Sequence, residues 1–311
     1  EQVLEHRELA KLQSTYVEAL PELVNPETGR LHTSYNQTGT VTGRISSSGP
    51  NLQNIPVRTP LGRRVRRAFT ARPGWLLLGA DYSQVELRVL AHISGDPGLV
   101  SAFRRGEDIH ATTAAAIFEV GLGEVTPDQR RFAKVVNFGL VYGMSAYSLA
   151  RSADLTLAEA EHFIDQYFGR FPQVRTYLDD TIMQAQREGY VETLSGRRRY
   201  FPVLQSTAPG QERARRRAQR EAVNAPIQGS AADIINRAML DLDRELDERG
   251  LSGQMIIQVH DELILEVPQA EIDGVASLVA QVMESAYTLD VPLKVDLKVG
   301  PNWLEMEPLT I

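Results

Sequence analysis

The segment WLLLGADYSQVE, residues 75–86, decides how this chain is read. Its apolar run from Trp75 to Ala80 has the character of a buried strand, and it ends on Asp81. A strand that closes on a carboxylate delivers that charge to the end of a sheet. A second carboxylate arrives the same way far downstream. Met255 to Val259 and Leu263 to Val267 flank a short polar turn, which predicts a hairpin with His260-Asp261 at its tip and Glu262 beside it. From Ser83 to about Ala238 helical patterns dominate. Two β elements from opposite ends of the chain, with helices inserted between them, predict an α+β architecture. It is one discontinuous β-containing domain carrying an α-helical insertion.

The inserted region holds the third cluster. Thr126-Pro127-Asp128-Gln129 is a capping box with Pro at the first helical position, so a helix starts there. Arg130, Lys134, Phe138 and Tyr142 follow at fourfold spacing. Residues four apart on a helix advance by about 40°, so these four sweep one continuous face. The face grades from two cations, placed at the positive end of the helix dipole, to two aromatics. That order suits a triphosphate followed by a base. A pair of convergent carboxylates in turn suits two divalent metals about 3.5–4 Å apart, the arrangement that clamps an in-line phosphoryl displacement. Together the three clusters read as nucleotidyl transfer.

Each cluster has a plainer reading when taken alone. Asp81 could simply terminate its strand, and Asp261 is ordinary turn chemistry. Ser83 and Glu86 have the spacing of a capping box, which would make Glu86 a helix cap. Arg130 and Lys134 could line a solvated face, with Phe138 and Tyr142 in the core. Co-occurrence decides against these, because a core helix has no use for Arg and Lys on its apolar stripe.

The bulk properties are compatible. A chain of 311 residues exceeds one comfortable domain. It contains no Cys, which excludes disulfides and thiolate metal sites. With no long apolar run and no signal-like start, the expectation is a soluble intracellular protein, cytoplasmic and associated with the nucleoid. The first residue is Glu1 rather than Met, which suggests a fragment of something longer. The net charge of −7 is unevenly spread: residues 241–311 carry −11 and residues 1–240 carry +4. Arginine runs at Arg63 to Arg67, Arg197 to Arg199 and Arg213 to Arg220 suit phosphate contact or a solvated helix face equally. The Thr-, Ser-, Gly- and Asn-rich stretch 36–56 is long for a connector, a sign of a functional loop.

On these motifs the chain resembles the polymerase region of family A DNA polymerases, the bacterial DNA polymerase I group. DYSQVELR from Asp81 matches that family's motif A, RRFAKVVNFGLVYG from Arg130 its motif B, and QVHDE from Gln258 its motif C. TGRISSSGPNLQNIP from Thr42, Asp108-Ile109-His110 and NAPIQG from Asn224 match as well. The resemblance implies a palm with an antiparallel sheet in residues 36–97 and 225–311, and helical fingers in 98–224. Only the base of a thumb, residues 1–35, would be present. It implies template-directed DNA synthesis with no proofreading or 5′-nuclease activity within these residues.

By the same resemblance, Asp81, Asp261 and the backbone carbonyl of Tyr82 would hold two Mg²⁺ ions, for which Mn²⁺ could substitute. Glu262 would stand beside them. Arg130, His110 and Lys134 would contact the incoming deoxynucleoside triphosphate, with Lys134 also protonating the leaving pyrophosphate. Phe138 would pack on the sugar and base, Tyr142 would occupy the templating position before closure, Glu86 would close off the 2′ side of the sugar pocket, and Gln84 would be a further nucleotide-binding residue. Arg44 and Gln228 would read minor-groove acceptors of primer–template DNA. Asn51, Gln53, Asn54, Arg131, Asn224 and His260 are carried over as further DNA contacts. The protein is expected to act as a monomer away from membranes. A single-subunit RNA polymerase shares the catalytic scheme, but Glu86 argues against a pocket that admits a 2′-hydroxyl. A primer–template binding module without catalysis is the other alternative, and intact Asp81, Asp261 and Lys134 argue against it.

Overall fold

The structure, a computed structural model, describes residues 2–57 and 59–311. It contains nine strands among these residues: β1 (Ser34–Asn36), β2 (Ser46–Ser48), β3 (Trp75–Tyr82), β4 (Tyr190–Glu192), β5 (Arg198–Tyr200), β6 (Gln254–Val259), β7 (Glu262–Pro268), β8 (Val295–Gly300) and β9 (Glu307–Leu309). The chain divides into two compact units. One comprises residues 1–83, 234–286 and 294–311; the other comprises 84–233 and 287–293.

The first unit is built on a five-stranded antiparallel sheet in the order β6-β7-β3-β8-β9. The WLLLGADY segment is its central strand. It reads as a near-continuous apolar run because both faces are covered. On one face Leu77 and Ile264 pack with Tyr16, Leu20, Leu52, Ile55 and Trp303. On the other, the helix Ile272–Ser285 lies against β3, and the Tyr82 hydroxyl donates to the Met283 carbonyl at 2.6 Å. The expected hairpin is present as β6 and β7, with His260 in the left-handed region at φ 54°. The N-terminal helix runs from Gln2 and passes through a wider π-type turn at Gln13–Glu18. A turn follows at Asn25-Pro26, with the Asn25 side chain accepting from the Glu27 N–H at 2.8 Å.

The second unit is helical. Five of its helices begin on Asp96, Asp108, Thr126, Ser145 or Thr156, whose side chains accept the first free backbone N–H groups. Its core is formed by Leu87, Leu90, Leu99, Ile109, Tyr167 and Phe171. The unit boundaries fall after Ser83 and Asp233. Within the second unit the helix Val85–Ser94 packs on Pro97–Arg104 and Pro172–Glu188. The second boundary lies inside one long helix, Glu212–Glu248, which contains Pro226.

Candidate active site

Three strands place the carboxylates of the first unit. Asp81 on β3 stands opposite Glu262 on β7 and opposite Asp296 on β8. Asp261 precedes Glu262 at the hairpin tip, and its carbonyl accepts the Tyr82 N–H at 3.1 Å. Solvent reaches Asp81, yet the protein wall beside it and the charges of Asp261 and Glu262 raise its pKa to about 7. Asp261 is raised by burial, against the opposing pull of Arg44 and His260. Glu262 is also raised by burial, opposed by Arg66 and Lys298. Acids that resist ionisation beside one another are the condition a divalent cation relieves. Among the described residues no three Asp, Glu, His or Cys side chains converge into a ready-made cage. A small set of protein oxygens leaving positions for water and phosphate is what Mg²⁺ prefers, so the donor set fits that ion.

The loop that carries Arg44 is tied to the hairpin. The Tyr35 hydroxyl accepts the Gln258 N–H at 2.9 Å, and the Gln53 amide donates to Gln258 Oε1 and to the Ile45 carbonyl, each at 3.0 Å. Asn51 caps the short helix Leu52–Asn54, accepting from Gln53 N–H at 3.0 Å, and the Asn54 carbonyl accepts from Tyr16 at 2.7 Å. The polar side chains of this stretch therefore hold their own loop in shape.

In the second unit the motif on the helix Pro127–Val141 is laid out as a graded face. The capping box forms, with Thr126 accepting from Gln129 N–H at 3.2 Å. Arg130 is engaged, its Nε 2.6 Å from Asp108 Oδ2, while Arg131 pairs with Asp128 at 2.9 Å. Asp108 also caps the helix Ile109–Ile117, and its pKa is lowered: burial acts to raise it, but Arg130 and two backbone N–H groups outweigh that. Lys134 is exposed and forms no ion pair among the described residues. His110 is buried and its ring lies 5.7 Å from that of Phe138. Burial lowers its pKa to about 4, with Asp108 pulling the other way and Arg130 and Lys134 adding to the drop. The ring is therefore neutral. Asn137 Nδ2 lies 3.0 Å from its Nδ1, and the Asn137 oxygen accepts from Thr113 at 3.1 Å, which leaves the His110 proton on Nε2.

Phe138 and Tyr142 stack at 6.4 Å, and the Tyr142 hydroxyl donates to Glu86. The capping-box spacing of Ser83 and Glu86 does not describe this helix start. Gln84 is the cap residue, in the left-handed region at φ 56°, and it makes no side-chain cap bond. With the start one residue later, Glu86 misses the third helical position that a box requires. Lys134, Phe138, Tyr142 and Arg131 line a cavity of about 730 Å³ together with Arg220. On the long helix, Gln228 is half-buried and Asn224 has a buried side-chain oxygen without a hydrogen-bond partner among the described residues.

Sequence reasoning missed Asn137, Asp296 and the individual position of Arg220. Asn137 carried a signal, being polar and one helical turn beyond Lys134, on the buried side. Asp296 had none, since strand register alone places it opposite Asp81.

The first unit thus carries a carboxylate cluster on an antiparallel sheet, and the second a helix face that grades from cations to aromatics. The chain belongs to DNA polymerase family A, whose family model matches residues 1–305. It is 54% identical over 310 residues to DNA polymerase I of Chloroflexus aurantiacus, covering 99% of this chain and 32% of that one. It is 52% identical to the thermostable DNA polymerase I of Thermus aquaticus, covering 98% and 36%. The chain thus spans about a third of the length of these relatives. Among solved structures it matches the POL domain of Pol1 from M. smegmatis in complex with DNA primer-template and dNTP. The TM-score is 0.92 at 47% identity, covering 97% of this chain and 52% of that one. No helix among the described residues is long and apolar enough to cross a membrane.

Proposed function

We propose that this chain extends a DNA primer along a template, joining deoxynucleoside monophosphates to the 3′-hydroxyl and releasing pyrophosphate. The observation that carries the reading is the crowding of Asp81 by Asp261 and Glu262, which calls for divalent cations where these strands end. Asp81, Asp261 and the Tyr82 carbonyl would hold two Mg²⁺, or Mn²⁺ in their place, which would supply activation of the primer hydroxyl and charge balance for the leaving group. The likeness to a polymerase domain bound to primer-template and dNTP supports the choice of substrates.

The residues of the second unit do the binding and the proton work. Arg130 exchanges Asp108 for phosphate oxygens, and neutral His110 donates its Nε2 proton to the same group. Lys134, exposed and unpaired among the described residues, holds the proton that the pyrophosphate takes on leaving. Phe138 packs on sugar and base, while Glu86, held by Tyr142, walls off the 2′ side. Arg44 and Gln228 contact the primer–template minor groove. The palm, fingers and thumb-base assignments go with this reading, as does action as a monomer. No nuclease step is assigned to these residues, so a mismatched primer should keep its length with Mg²⁺ alone.

Primer extension tests the reading directly. Wild type should extend, and Asp81→Asn and Asp261→Asn should each abolish extension while retaining the circular dichroism of the fold. Near-normal turnover in either variant would overturn it. General acid catalysis typically contributes about 10²–10⁴-fold, so Lys134→Ala should lower the single-turnover rate at saturating nucleotide. Arg130→Ala should act mainly on nucleotide affinity.

A further inference from the structure

Two buried donors in the first unit have no hydrogen-bond partner among the described residues: Nε of Arg66 and Nε1 of Trp303. They belong to one another. The Arg66 guanidinium lies over the Trp303 ring at 4.1 Å, and the edge of Phe69 meets the same indole at 5.7 Å. Trp303 is fixed in place, its backbone N–H donating to the Phe69 carbonyl at 2.9 Å. A rigid, buried and unsatisfied pair of donors is uncommon in a native fold and asks for an acceptor.

The acceptor at hand is Glu262. Its charge acts on Arg66, and the Trp303 N–H is turned toward its carboxylate. Glu262 stands opposite Asp81, but its side chain leans back along the sheet. Its Oε1 lies 3.5 Å from where a Cβ on Gly79 would stand, one pleat before Asp81. Met306 Cε and Ile264 Cδ1 stand at 3.1 and 3.3 Å from the same point, so a side chain at position 79 would crowd the carboxylate and its apolar neighbours alike.

We propose that Arg66 and Trp303 form a cradle that receives the Glu262 carboxylate over Gly79 and holds it beside, not among, the groups at Asp81 and Asp261. They are positioning residues that act through Glu262. Both orphan donors thereby gain a function. Glu262, joined by two charge-assisted bonds, gains a defined orientation that the open end of the strand does not give it.

The kinetic half of the test rests on the polymerase reading; the spectroscopic half does not. The chain has two tryptophans, Trp75 and Trp303, so its indole ¹H–¹⁵N resonances are assigned by Trp75→Phe. In protein free of metal and nucleotide, Glu262→Gln should shift the Trp303 resonance and leave that of Trp75 in place. A Trp303 resonance that does not move overturns the cradle. In single-turnover extension, Trp303→Phe keeps the ring and deletes the donor. The rate at saturating nucleotide should fall about tenfold, the low end for partners that orient a site group, with nucleotide affinity unchanged. In a Glu262→Gln background the same substitution should cost nothing more. Equal losses in both backgrounds would mark Trp303 as merely structural and overturn the proposal. Arg66→Lys, which retains the charge and loses Nε, should show the same dependence on Glu262 if Trp303→Phe does not fold. If wild type fails to extend primers, the polymerase reading falls and the resonance shift alone decides the cradle.

Discussion

Tyr142 and Glu86 share a hydrogen bond within the helical unit, and its consequence differs for the two partners. On the proposed reading, removing Glu86 would remove the wall against a 2′-hydroxyl, and removing only the Tyr142 hydroxyl would free that wall to move. Glu86→Ala should therefore raise the ratio of ribo- to deoxynucleotide incorporation, and Tyr142→Phe should raise it less. Each tenfold change corresponds to about 1.4 kcal/mol of discrimination. An unchanged ratio in Glu86→Ala rejects the gate and with it the strongest residue-level argument for DNA over RNA synthesis. A loss of stability from a missing cap is not expected, because Gln84 is the cap residue. His110 shows the same discipline. Its pKa of about 4 keeps it neutral, so what it offers to the phosphate in the proposed reading is a hydrogen-bond donor and not a charge.

Strand β7 carries a second, wholly buried carboxylate, Glu266. It accepts from the backbone N–H and Nε of Arg72, at 2.7 and 2.8 Å, and pairs with Arg30 at 3.2 Å. Burial acts to raise its pKa, but the Arg72 bonds and Arg30 outweigh that, and the net effect is a lowered value. A depressed folded pKa means stability that is present above the ordinary value of 4.5 and lost as pH falls through the folded one. Breaking one partner of a buried pair typically costs about 3–5 kcal/mol, and Arg30 partly compensates here, so Arg72→Met should fall toward the lower figure. Urea unfolding should show the gap at neutral pH and its closure in acid. Nothing in the sequence announced this pair. Its partners are 194 residues apart, and only the register of β7 against β3 brings them together. By contrast β3, the β6–β7 hairpin and the helix opening at Thr126 were legible, since each rests on a local pattern of apolar runs, turn residues or caps. The start at Gln84 was not legible, because a left-handed cap residue leaves no side-chain signature.

At the scale of the molecule, the arginine runs divide between two fates. Arg197 pairs with Asp233 at 2.7 Å, Arg199 with Glu221 at 2.6 Å and Arg67 with Glu305 at 2.9 Å, whereas Arg220 lines the cavity beside Lys134. Much of the positive charge therefore binds the fold's own acids, and arginine content overstates what is available to nucleic acid. The acidic C-terminal stretch has the opposite consequence at Asp81. Its folded pKa of about 7 exceeds the ordinary 3.8, so ionising it opposes folding, and the penalty grows as pH rises between those values. In chelator, Asp81→Asn should melt higher than wild type above neutral pH and alike in acid. Added Mg²⁺ should stabilise wild type and leave the variant unmoved. A variant no more stable than wild type in chelator would show that the carboxylates are not in conflict.

The helix Glu212–Glu248 belongs to both compact units, changing allegiance between Asp233 and Ile234. Amide hydrogen exchange senses the opening of whatever a helix is packed into, not the helix alone. Its N–H groups should consequently sort into two protection classes, those up to Asp233 following the helical unit and those from Ile234 following the sheet. Pro226, having no amide proton, is silent, so the step is read from its neighbours. A single exchange rate along the whole helix would mean that the two units open as one.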